Sequence, residues 1–180
     1  MKNFASILVT AALFYLIIPA NAFAQKAGYE GTAVCSMCHK TEKQGQQLKI
    51  WQGTKHSEAY KTLLTAKADE IAKAKTGKKA VESPECLKCH ASGFDVDKAL
   101  VGAKFKIEDG VQCETCHGPG SAYKAISVMK NREEAVKKGL AEHKDIPAFC
   151  KTCHNSSSPT FKEFKFEEMW GKIKHSVPKA

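Results

Sequence analysis

Cys113-Glu114-Thr115-Cys116-His117 places two thiols three residues apart and an imidazole directly after the second. The same pattern recurs at Cys35-Ser36-Met37-Cys38-His39, Cys86-Leu87-Lys88-Cys89-His90 and Cys150-Lys151-Thr152-Cys153-His154. Cys-x-x-Cys-His is the attachment signature of a c-type haem. The two thiols add across the haem vinyl groups, and the adjacent His ligates the iron from one face. All eight cysteines fall inside the four motifs. None is left for a disulfide, a thiol nucleophile or a redox sensor. The pattern predicts four covalently bound haems c.

Zinc also takes paired cysteines with a nearby His, and the N-terminus argues against that reading. Lys2 gives a positive start, a mostly apolar run follows from Phe4 to Ile18, and Ala20-Asn21-Ala22-Phe23-Ala24 closes it with small residues. This reads as a cleaved secretory signal over residues 1–24, cut after Ala24, with Ala22 as the alternative. The apolar run is short for a bilayer span, and no other stretch is long and apolar enough. Covalent haem attachment takes place outside the bacterial inner membrane, so export and motif agree. The expected location is the periplasm, as a soluble protein with no membrane span after cleavage.

The remaining chain, 25–180, has the length of one domain and no linker or composition break. It would carry one haem for every 39 residues. Few large side chains are available for burial, so porphyrin supplies the apolar surface. The expected fold is mainly α with extensive loops, a compact multihaem cytochrome with a haem-dominated core that does not form without haem. Without Lys2 the chain has 27 basic and 19 acidic side chains, formally +8. Two propionates against each ferric centre bring the loaded protein to about +4, and to about 0 when reduced. That weak field excludes a nucleic-acid binder, which the bare pI would otherwise suggest. Lys67, Lys73, Lys75, Lys78, Lys79, Lys137 and Lys138 read first as solvated helix faces. The alternative is a docking patch for an acidic redox partner.

The motifs begin 51, 27 and 37 residues apart. In the first gap, Ala59, Leu63, Ala66 and Ile71 lie near helical spacing and predict one long helix from about Ser57 to Lys75. Gly77 and Ser83-Pro84 end it. Residues 94–107 read as a loop or at most a short strand pair. Helices are expected over 122–129, 132–142 and 161–175, the last with Phe164, Met169, Trp170 and Ile173 facing inward.

His39, His90, His117 and His154 are the proximal ligands. His56, His143 and His175 remain as candidates for the opposite faces. His56 follows Trp51, which suits a ligand with an aromatic wall. Four irons have eight axial positions, and seven histidines cannot fill them. Exchange between identical subunits does not help, since each chain gives as many as it receives. Met37, inside the first motif, is badly placed, and Met129 and Met169 read as packing residues. One iron then takes a non-His ligand or keeps an open position, where haem proteins bind small molecules.

The chain resembles the tetrahaem cytochrome c-554 family. The resemblance runs through residues 31–40, Trp51 with Lys55-His56-Ser57-Glu58-Ala59, and residues 86–94. It continues through Gly110-Val111-Gln112-Cys113 to His117-Gly118-Pro119-Gly120, and ends in residues 164–169. It implies haems in close pairs, three bis-His and one five-coordinate. The open iron would be the second, held by Cys86, Cys89 and His90. His56 would serve the fourth haem and His175 the third, and Pro159-Thr160-Phe161 would wall the open face. The family carries a His shortly after Gly-Pro-Gly, where this chain reads Ser121-Ala122-Tyr123-Lys124. The first haem therefore takes His143 or goes without.

The leading expectation is a carrier passing single electrons between a donor and an acceptor protein, as a monomer or weak dimer. By resemblance alone, the donor would be like hydroxylamine oxidoreductase. Two alternatives stay open: a nitric oxide reductase at the open haem, and a subunit of an extracellular cytochrome filament. No distal His or Arg for the second haem is evident as the proton donor that catalysis wants, and Arg132 is the only arginine.

Overall fold

The computed structural model describes residues 26–176, so the expected signal segment lies outside the described residues. Among the described residues the chain runs through ten short helices. They are α1 (Thr32–Cys35), α2 (Gln47–Gln52), α3 (Ala59–Leu63), α4 (Ala66–Thr76), α5 (Pro84–His90), α6 (Cys113–His117), α7 (Ile126–Met129), α8 (Arg132–Lys137), α9 (Ile146–Lys151) and α10 (Phe166–Ile173). No strand forms among the described residues; one isolated parallel bridge joins Tyr29 to Val101. The expected mainly helical, loop-rich class holds. No helix among these residues is long and apolar enough to cross a membrane.

The helix expected over 57–75 is two helices. Lys55–Glu58 forms a 3-10 turn leading into α3, and the chain breaks at Leu64 and Thr65 before α4 begins. Thr65 is extended, and its hydroxyl accepts the Ala68 N–H at 3.2 Å. A threonine side chain that bonds its own backbone competes with helix continuation and favours an N-cap. Thr65→Ala should cost about 1 kcal/mol in chemical denaturation of the loaded protein. α4 ends at Gly77, whose φ of 73° is left-handed, as the sequence predicts.

Three other boundaries differ from expectation. The helix after Gly-Pro-Gly begins at Ile126, because residues 121–123 turn and Tyr123 is pinned back to His117 and Gly118. α8 stops at Lys137 rather than near Glu142, where Gly139 swings to φ 104°. α10 spans only Phe166–Ile173, so Phe164 precedes it and His175 follows it. Residues 94–107 are loop with short 3-10 turns. Of the four inward candidates around α10, Phe164, Trp170 and Ile173 are half-buried and Met169 is exposed.

The buried apolar side chains are Leu63, Tyr123 and five alanines, at 59, 72, 80, 91 and 135. Among the described residues Leu63, Ala72 and Ala80 form one cluster, with Ala68, Val81, Cys86 and Leu87 against it. That cluster seats α5, and with it the second motif, on α3 and α4. The small residues allow close approach of short helices and leave the polypeptide little apolar interior of its own.

Candidate haem sites

Each motif lies on a helical turn. The second and third occupy all or most of α5 and α6; the first and fourth begin at the ends of α1 and α9. In the first, the His39 N–H bonds the Cys35 carbonyl at 3.0 Å; in the fourth, His154 bonds Cys150 at 3.0 Å. Residues three and four apart on such a turn share one face. Both sulfurs and the following imidazole therefore point to the same side. The sulfurs here are thiols, standing for those that attachment would convert to thioethers.

Tertiary packing brings the motifs together in a definite order. The Cys35 and Cys113 thiols hydrogen-bond each other, which pushes Cys35 up and pulls Cys113 down. Burial, with the nearby Cys153 thiol next, pushes Cys89 up to about 11. Cys116 is likewise pushed up to about 11, by burial first and then by Cys150. The first motif thus adjoins the third, the third the fourth, and the fourth the second. A cleft of about 180 Å³ runs between the second and fourth, lined by Lys88, Cys89, Phe94 and Cys153 among others.

The histidines pair across long stretches of sequence. His56 faces His154 with ring centres 6.0 Å apart, and His117 faces His175 at 5.8 Å. Two imidazoles on opposite sides of one metal, each at a metal–nitrogen distance of about 2.0 Å, have ring centres roughly 6 Å apart. Burial pushes His117 down to about 4, with His175 and His39 adding to the shift. Burial and then His154 depress His56; burial and then His90 depress His154. Neutral imidazole is the form that binds metal.

His90 has its Nδ1 2.8 Å from the Ala59 carbonyl, which leaves Nε2 outward. An imidazole fixed in this way through its other nitrogen is what a metal ligand needs. His143 stacks on Phe149 at 3.8 Å, and its Nε2 lies 2.7 Å from the Cys116 carbonyl. Phe164 stacks on His154 at 4.7 Å. Met37 and Met169 are exposed. The lysines of the 67–79 cluster are all exposed; Lys67 pairs with Glu70, and Lys75 reaches the Ser157 carbonyl at 3.0 Å.

Three polar residues to which the sequence reading gave no role of their own hold this arrangement. Glu114 is buried, and its carboxylate accepts N–H groups from Glu30, Gly31 and Gly120 at 2.6–3.0 Å. Buried Gln112 accepts from the Thr32 backbone at 3.0 Å and donates to the Lys106 carbonyl at 2.8 Å. Ser92 accepts the Gln112 N–H at 2.8 Å and also contacts Thr115. Gly31, at φ 88°, lies so close to Phe105 that a Cβ would sit 2.7 Å from its Cα. The signal was present in the third motif: a Gln and a Glu flanking Cys113, in a motif that runs into Gly118-Pro119-Gly120, suit backbone capping. Trp51 serves the same end, donating to the Val111 carbonyl at 2.8 Å while Val111 donates to His56.

The donor set fits haem. Helical turns that present Cys-x-x-Cys-His, with imidazoles set opposite two of them, define a c-type cytochrome. The family described as "Cytochrome c554 and c-prime" matches residues 34–118, which contain the first three motifs whole. Cytochrome c-554 of Nitrosomonas europaea is 30% identical over 162 residues, covering 82% of this chain. The chain spans 66% of that relative's length. No solved structure matches it. The chain belongs to the cytochrome c-554 family.

Proposed function

We propose that the chain binds four haems c and works in the periplasm as a carrier of single electrons between redox proteins. The observation that carries this reading is the packing of all four motifs into one continuous series, first to third to fourth to second. Bound haem iron supplies one-electron chemistry with little rearrangement when both faces hold imidazole. His117 and His175 would hold the third haem, and His154 and His56 the fourth. His143, with Nε2 at the Cys116 carbonyl, would offer Nδ1 to the first haem, opposite His39. His90 would hold the second haem from one face only.

The chain's own groups shape this task. Phe164 covers one face of the His154 ring, and the Ala59 carbonyl fixes His90. Arg132, which pairs with Glu142 at 2.7 Å, is engaged elsewhere, so no arginine serves the second motif. One observation favours the second reading, small-oxide chemistry at the second haem. Lys75 lies near Cys86 and donates to the Ser157 carbonyl, a contact through which loop 155–161 would wall that haem.

The test is a haem count by alkaline pyridine haemochrome, followed by electron paramagnetic resonance of the oxidised protein. Four haems per chain, three low-spin and one high-spin, are expected. His56→Ala should convert one further haem to high-spin while the count stays at four. A count below four would sink the reading. Nitric oxide bound to the reduced protein at one haem, with catalytic turnover, would move the assignment to the reductase.

A further inference from the structure

We infer that Gln47 is the positioning residue for His39 and that it ties the first motif to the C-terminal segment that carries His175. The inference rests on the four-haem reading above and concerns how this chain orients one of its ligands.

Two half-buried residues carry the argument. His39 Nδ1 and Gln47 Oε1 are the buried side-chain polar atoms that have no partner among the described residues. Each supplies what the other lacks, since a ring N–H donates and an amide oxygen accepts. Burial depresses His39, and the adjacent Gln47 side chain is the contact that works against it. With its proton held at Nδ1, His39 presents the Nε2 lone pair to the metal.

The amide orientation follows from its other end. Gln47 Nε2 donates to the Gln44 carbonyl and, at 3.2 Å, to the Ser176 carbonyl. Turning the amide over would set its oxygen against two carbonyl oxygens. Oε1 is therefore the atom left for His39.

The backbone is wound to put the side chain there. Gln46 has φ 53°, the one left-handed non-glycine among the described residues. Such a conformation is retained where surrounding structure enforces it, and it directs the residue that follows. Gly45, at φ 94°, has room for no Cβ: one would lie 2.7 Å from Gln47 Nε2 and 3.0 Å from Ser176 Oγ. The Leu48 N–H then returns to the His39 carbonyl at 2.9 Å. His39, Gln47 and the segment next to His175 thus form one knot at the junction of the first and third motifs.

A stronger acceptor at Nδ1 makes an imidazole a better donor to ferric iron and lowers the reduction potential. The test is potentiometric titration of the loaded protein and of two variants, Gln47→Glu and Gln47→Leu, each first shown to hold four haems. One midpoint should fall in the Glu variant and the same one should rise in the Leu variant, with the other three unmoved. Gln47→Glu keeps the side-chain shape, gives up the bonds to the Gln44 and Ser176 carbonyls, and carries the test alone if Gln47→Leu assembles poorly. Four midpoints unmoved, or all four moved alike, would overturn the assignment. Fewer than four haems in the unmodified protein would instead strike the reading on which it rests.

Discussion

Produced without haem attachment, the chain should lose nearly all of its helical circular dichroism and show no cooperative unfolding transition. The reason lies in what it has to bury. Among the described residues, Leu63 and Tyr123 are the only large apolar residues buried, with five alanines besides them. Alanine burial yields little compared with a buried leucine or phenylalanine. The helices are 4–11 residues long, below the roughly 12–15 residues at which an isolated helix becomes even marginal in water. Neither local helix formation nor side-chain packing offsets the conformational entropy of some 150 residues. Replacing all eight cysteines by serine, or expressing the chain in a cytoplasm without attachment machinery, would test this. A sharp thermal transition in the haem-free chain would show that the polypeptide holds itself together.

The second large effect is expected at Glu114. Its carboxylate is buried and serves three backbone N–H groups, from Glu30, Gly31 and Gly120. Those donors lie on both sides of the site: Gly31 precedes α1 and the first motif, and Gly120 closes the turn after the third. Glu114→Ala leaves all three unpaired in a dry place. At roughly 1–3 kcal/mol for each lost partner, with water recovering part, destabilisation should reach about 3–5 kcal/mol. Glu114→Gln keeps the shape but turns a donor toward donors, so it should cost about half as much. Lys124→Ala is the control. It removes only the partly exposed pair with Glu30 at 2.5 Å, worth less than about 1 kcal/mol. Guanidinium unfolding of the loaded variants, followed at the Soret band, would measure all three. An alanine variant as stable as Lys124→Ala would mean that Glu114 holds nothing.

The residues themselves determined what this protein is made to bind. Cys-x-x-Cys-His is a local device, since thiols three apart and the next imidazole share a face on any helical turn. Four such devices, the count of seven histidines and the stop at Gly77 needed no knowledge of distant contacts. The break at Thr65 was also written locally, in a hydroxyl that caps the next turn, but the apolar spacing of Ala59, Leu63 and Ala66 masked it. Other features belong to tertiary structure alone. His56 meets His154, and His117 meets His175, because separate short helices dock through loops that carry no periodic signal. The order of the motifs in space differs from their order in the chain for the same reason. Glu114 and Gln47 read as ordinary polar residues until folding removes water from around them, and burial is what turns a carboxylate or an amide into a fixed support.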